Sequence, residues 1–127
     1  MSGRVIHFEL PADDVERAQA FYSKAFGWKM RSMPGMGYTL VGTTPTDEKG
    51  MPTQAGAING GMLKRQAPVQ TPLITVHVAE IDTALRIIEK LGGATVRAKI
   101  PVGDMGFAAY FRDTEGNVVG LWQDAAR

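Results

Sequence analysis

The sequence predicts an α+β fold made of two tandem βαβββ modules that together form a concave mixed sheet. Three observations predict it. Short apolar runs alternate with a period of two between turn residues, the pattern of half-buried strands. One segment in each half changes to the 3.6-residue period of an amphipathic helix. The halves also register with each other. Asp14, Tyr22 and Gly27 are matched 66 residues on by Glu80, Ile88 and Gly93, and Met36-Gly37-Tyr38 is matched 69 residues on by Met105-Gly106-Phe107. Module one is assigned to residues 4–65 and module two to 71–124, within one domain of residues 1–127.

The elements follow in order. Val5–Leu10 reads as a strand with Ile6, Phe8 and Leu10 on one face and His7 and Glu9 on the other, ended by Pro11. Asp13 is the expected N-cap of the first helix, with Glu16 completing a capping box. Val15, Ala18, Phe21, Tyr22, Ala25 and Phe26 recur at helical spacing and continue that helix, and Gly27 stops it. Trp28–Met33 and Tyr38–Thr43 are strands around the Pro34-Gly35 turn. Thr44–Gln54 is a polar loop that reads equally as a lid or as a passive insertion, and Ala57–Leu63 is a strand interrupted by Gly60 and Gly61. The second copy runs through a strand at Leu73–Val78 and a helical stripe of Ile81, Ala84, Leu85, Ile88 and Leu91 closed by Gly92-Gly93. It ends with strands at Thr95–Ile100, Phe107–Phe111 and Asn117–Gln123, the last two joined by an Asp113–Gly116 turn. That turn pairs Phe107 with Trp122 and Phe111 with Val118, on the face of Gly120.

Composition excludes several functions. Charged residues make up 21% of the chain and the net charge is +1, so there is no basic footprint for nucleic acid. The absence of cysteine removes disulfides, thiolate zinc sites, iron–sulfur clusters and a cysteine nucleophile. No apolar run approaches the length of a membrane span, and the N-terminus leads straight into a strand without a leader, so a cytoplasmic location is expected. None of the three serines, Ser2, Ser23 and Ser32, lies in a nucleophile elbow, and Gly60–Arg65 lacks the spacing of a phosphate loop.

The opening His7–Asp14, followed by Phe21-Tyr22 and Phe26-Gly27-Trp28, and the closing Phe111–Trp122 run resemble the vicinal oxygen chelate superfamily. That superfamily includes glyoxalase I, bleomycin- and fosfomycin-resistance proteins and extradiol dioxygenases. The resemblance spans essentially the whole chain and implies paired βαβββ modules and a homodimer. It also implies a divalent metal held by four side chains, on the first and last strands of the modules. Such a metal polarises two vicinal oxygens and needs imidazole and carboxylate ligands with open positions. His7 stands at one of those positions. Leu73 and Gly120 stand at two others and cannot ligate, and near Asn59–Gly61 only Asn59 offers a weak donor. No metal and no cofactor is therefore expected.

The candidate ligand-binding residues are His7, Glu9, Tyr38, Thr75, His77, Phe107 and Trp122. His7 reads as a ligand contact or a general base, or else as a histidine paired with Glu9 or backbone. Glu9 reads as a polar anchor, or as half of an internal ion pair. A nonstandard metal site of His7, Glu9 and His77 is conceivable, although the first two are separated by roughly 7 Å along the strand. Tyr38, Phe107, Phe111 and Trp122 could form an aromatic box, or simply core packing. Gly60 and Gly120 read as places that let a ligand or another backbone come close. The expected function is metal-independent binding of a small organic molecule in the concave cavity. The alternatives are a glyoxalase- or dioxygenase-like enzyme with an altered metal site or with His7 as base, and a scaffold without cavity chemistry.

Overall fold

The computed structural model describes residues 3–126, which divide into two compact units: residues 7–72, and residues 3–6 together with 73–126. The first unit holds β1 (Val5–Ala12, whose first two residues count with the other unit), α1 (Val15–Phe26), β2 (Lys29–Met33), β3 (Tyr38–Gly42) and β4 (Asn59–Lys64). The second holds β5 (Leu73–His77), α2 (Ile81–Lys90), β6 (Ala94–Val102), β7 (Gly106–Arg112) and β8 (Val118–Asp124). Strand order is β2-β3-β4-β1 in the first and β5-β8-β7-β6 in the second. In each, the helix connects a strand to the far edge, so β1 with β4 and β5 with β8 run parallel while the remaining pairs are antiparallel. This is the expected α+β fold with a βαβββ order in each half.

Helix α1 is capped by Asp14 and not by Asp13. The Asp14 backbone is extended and its Oδ1 accepts the Arg17 N–H at 3.0 Å. Asp13 instead meets the Arg65 guanidinium at 2.9 Å on the surface. Gly27 ends the helix at φ 75°, a left-handed conformation that a Cβ would strain. Helix α2 has no capping side chain of its own, because Glu80 bonds Thr83 Oγ1 instead. The Ile81 N–H is accepted by Gln123 Oε1 from β8, a cap 42 residues away that local sequence does not reveal.

Each unit has its core between its helix and one face of its strands. Ala12, Val41 and Met62 are buried beneath α1, with Phe8, Leu10, Tyr22 and Trp28 packed around them. Val78, Ile81, Ala84, Leu85, Ala109 and Leu121 form the core under α2. Ile81 is 0% exposed, and its burial contributes roughly 2 kcal/mol. Alternation therefore leaves the odd-numbered residues of β1 and the even-numbered residues of β7 on a helix-free face.

The β7–β8 register differs from the expected one by a single residue. Phe107 pairs with Gln123, Ala108 with Trp122, and Phe111 with Val119. The cause is the connection. Asp113 N donates to Asn117 O, and Asp113 Oδ1 accepts from the N–H groups of Glu115 and Asn117, closing three residues between them with Gly116 at φ 86°. One added residue in the loop moves every side chain of β7 to the opposite face relative to β8. Two smaller differences lie at strand ends. Strand β1 continues through Pro11 to Ala12, and β6 continues through Pro101 to Val102; β6 is an edge strand, where a missing N–H is tolerated.

Candidate functional site

The helix-free face of residues 7–72 carries a continuous hydrogen-bonded chain. His7 and Glu9 project from β1 on the side away from Phe8 and Leu10, which pack under α1. In the ladder His7 lies beside Asn59 and Glu9 beside Gly61, so these pairs share a face. Tyr38 begins β3 opposite Leu63 and leans along the strand across Gly61. A Cβ on Gly61 would overlap the Tyr38 hydroxyl and ring, so glycine is what admits the phenol. On the other side of the sheet Gly60 seats the Phe8 ring, whose carbons would lie 2.5 Å from an added Cβ. The adjacent glycines thus seat one aromatic ring on each face; the group that comes close at Gly60 is the Phe8 side chain, where a ligand or another backbone was expected.

The Tyr38 hydroxyl donates to Glu9 Oε2 at 2.8 Å and lies 2.7 Å from His7 Nε2. A phenol has one proton, so with Glu9 accepting it, His7 completes the second bond by donating from Nε2. The neutral imidazole then keeps a lone pair on Nδ1. Burial holds His7 neutral by pushing its pKa down to about 4. Glu9 is 7% exposed, and the phenol satisfies one of its oxygens in a place where a bare carboxylate would be costly. The His7 and Tyr38 rings lie nearly parallel, 15° apart with centroids at 6.4 Å. Of the candidates from this half of the sequence, His7, Glu9 and Tyr38 are brought together.

Residues 73–126 carry a second arrangement on their own helix-free face. Thr75 is buried against Gly120, whose Cβ would approach Thr75 Oγ1 to 2.9 Å. His77 pairs with Trp122 in the ladder, and both side chains bond the Asp124 carboxylate. His77 Nε2 lies 2.9 Å from Oδ2, and Trp122 Nε1 donates to Oδ1 at 3.0 Å. The indole lies over Gly106, where an added Cβ would come within 2.6 Å of it. Phe107 does not join this face. With Phe111 it packs against the α2 core, and Lys99 holds it there, its Nζ 4.8 Å from the Phe107 centroid and 3.4 Å from Asp82 of α2. The box of Tyr38, Phe107, Phe111 and Trp122 is therefore corrected: the register shift sends Phe107 and Phe111 to the helix side. Tyr110, opposite Gly120, stands on the helix-free face instead. The sequence reading missed it because alternation in β7 points the right way only once the loop length is known.

Asn59 was also undervalued. Its Oδ1 accepts the N–H groups of Thr43 at 2.8 Å and Thr44 at 3.2 Å, fixing the start of the 43–58 connection beside His7. That connection is not a bare loop. Asp47 Oδ1 accepts from Lys49 and Met51 N–H, and Thr46 bridges Pro52.

The donors at the superfamily's metal positions do not suit a metal. Leu73 is buried and apolar, Gly120 has no side chain, Asn59 Oδ1 is engaged by backbone, and His7 Nε2 is engaged by Tyr38. Among the described residues no three His, Asp or Glu side chains gather where they could hold an ion, so His7, Glu9 and His77 do not combine. No described helix is long and apolar enough to cross a membrane.

Comparison with known proteins follows the same lines. A family model for the bleomycin resistance protein-like N-terminal region matches residues 4–44. A glyoxylase-like domain-containing protein of Didymella fabae is 30% identical over 122 residues, covering 92% of this chain and 91% of its own. Among solved structures, Streptomyces coelicolor methylmalonyl-CoA epimerase in complex with 2-nitronate-propionyl-CoA superposes with a TM-score of 0.68. It is 16% identical, over 99% of this chain and 100% of that one. A glyoxalase/bleomycin resistance protein/dioxygenase superfamily member from Vibrio splendidus gives 0.61 at 14% identity, over 95% and 97%. At these identities the structural likeness establishes the fold.

Proposed function

The chain belongs to the vicinal oxygen chelate superfamily, and from that premise we propose that it binds a small organic molecule without a metal. The observation that carries this reading is the Tyr38 hydroxyl standing between His7 and Glu9. The two side chains of β1 that could ligate an ion converge on a phenol, and the phenol is admitted by Gly61. Leucine and glycine at two further ligand positions point the same way. The face keeps polar atoms for a ligand, His7 Nδ1 among them, beside the apolar Leu40 and Leu63.

The reading with His7 as general base is less well supported. A base works best with a pKa near the operating pH, and burial takes His7 to about 4, where it accepts a hydrogen bond but abstracts protons poorly. Thr75, His77 and Trp122 supply a second polar face, in which Asp124 orients the imidazole and the indole.

The chain is also proposed to form a homodimer. Helix α1 has no buried residue and turns Phe21 and Phe26 outward at 62% and 65% exposure. Its N-terminal end carries Asp13, Asp14 and Glu16 and its last turn carries Lys24, charges that complement each other when two copies of α1 lie antiparallel.

Metal stoichiometry tests the reading first. Protein incubated with Mn, Fe, Co, Ni or Zn and desalted should hold far less than one ion per chain by elemental analysis, and a fragment screen should find ligands that perturb His7, Tyr38 and Glu9. One ion per chain, lost in His7→Ala, would overturn it and restore the chelate enzyme.

A further inference from the structure

We infer that the helix-free face of residues 7–72 recognises a neutral donor–acceptor edge, a carboxamide or lactam, with His7 Nδ1 accepting and the Asn59 side-chain amide donating. This rests on the binding reading above and names the ligand chemistry of that site. Three observations carry it.

The first is that both groups have their hydrogen-bonding sense fixed. Tyr38 gives its one proton to Glu9, so His7 Nε2 is the donor in the adjoining bond and Nδ1 is left as the lone pair. Asn59 Oδ1 accepts two backbone N–H groups, which an amide NH2 could not face, so the orientation of the side chain is set and Nδ2 is the outward donor. Neither Nδ1 of His7 nor Nδ2 of Asn59 has a partner among the described residues, and neither is sealed from solvent, unlike Thr44 Oγ1 and His77 Nδ1.

The second is their position. His7 and Asn59 are direct partners in the parallel β1–β4 ladder, so the two side chains rise from one face on strands roughly 4.8 Å apart. An acceptor beside a donor is the complement of an amide edge, in which N–H and C=O also stand side by side.

The third is charge. Glu9 is a carboxylate next to this pair, buried on the same face. A carboxylate ligand would turn oxygen lone pairs toward the Nδ1 lone pair and add negative charge near Glu9. A neutral amide meets neither penalty.

The test uses benzamide and benzoate as a matched pair of probes, titrated into the full chain and followed by 1H–15N NMR including side-chain amides. Benzamide is expected to shift the Asn59 NH2 resonances and to bind roughly tenfold tighter than benzoate. Asn59→Asp keeps the acceptor oxygens for Thr43 and Thr44 and replaces the donor by a charged acceptor oxygen. It should weaken benzamide by roughly tenfold while the 43–58 connection keeps its chemical shifts. His7→Phe removes the acceptor and should give the same loss, so the inference stays testable if the first variant fails to fold. Benzoate binding as tightly as benzamide, or benzamide binding unchanged in Asn59→Asp, overturns it. Fragments that bind at Tyr38 and Glu9 but never carry a donor–acceptor edge overturn this inference and leave the binding reading intact. No ligand of any class on this face overturns both.

Discussion

Lowering the pH from 7 to 4 should remove about 3 kcal/mol of stability through His7 alone. Burial depresses the His7 pKa from 6.5 to about 4 in the folded chain, while the unfolded chain keeps the ordinary value. Between those two values the unfolded state binds a proton that the folded state refuses. Stability then rises with pH across the window and is lost as pH falls from about 6.5 to about 4. Below that both states are protonated and the dependence ends. A displacement from 6.5 to about 4, at 1.36 kcal/mol per pH unit, gives about 3 kcal/mol. The assay is urea unfolding of the wild-type chain and His7→Gln at a series of pH values from 7.5 to 4. The readout is the difference between the two proteins, in which titrations of all other groups cancel to first order. That difference should fall by about 3 kcal/mol from the top of the range to the bottom. A difference constant within about 0.5 kcal/mol, or a His7 imidazole titrating near 6.5 by NMR, would refute the burial argument.

Three further outcomes are expected. Asp14→Ala should cost about 1 kcal/mol by removing the cap on Arg17 N–H, whereas Asp13→Ala should change stability by less than about 0.5 kcal/mol, both read by urea midpoint. Gly106→Ala should destabilise by about 2–3 kcal/mol because the new Cβ overlaps the backbone oxygen of Gln123. Gly61→Ala meets only the far end of Tyr38, so it should cost less yet expel the phenol, visible as loss of the His7–Tyr38 coupling by NMR. Phe21→Glu should shift the chain from dimer to monomer in sedimentation or light scattering without changing its helix content, and a wild-type monomer would remove the α1 pairing.

The legible part of the fold was the part written in local pattern. The period-two runs, the two apolar helical stripes and the Gly27 stop each depend on residues close in sequence, and each element stands within about two residues of where the pattern puts it, the fourth strand running Asn59–Lys64 where Ala57–Leu63 was expected. The separation of His7 and Glu9 from Phe8 and Leu10 follows from alternation alone. The less legible part lay in side-chain hydrogen bonds to the backbone, two sets between separate segments and one inside a loop. Gln123 caps α2, and Asn59 anchors residues 43 and 44. Asp113 organises a loop one residue longer than the turn its sequence suggests. That last bond determined the fate of Phe107. A strand's two faces are equivalent until its register is set, and the register is set by the loop.

The sequence by itself determined the βαβββ order, the pairing of polar with apolar faces and the absence of ligating side chains at positions 73 and 120. Each of these is a matter of residue type at a fixed spacing. Only the tertiary structure decided that Tyr38 reaches over Gly61 to join His7 to Glu9, that His77 and Trp122 share Asp124, and that Phe107 belongs to the α2 core. The bonds of Tyr38 to His7 and Glu9 and of His77 to Asp124 join residues about 30 to nearly 50 positions apart. Their existence depends on which strands lie side by side, and a linear pattern does not encode that.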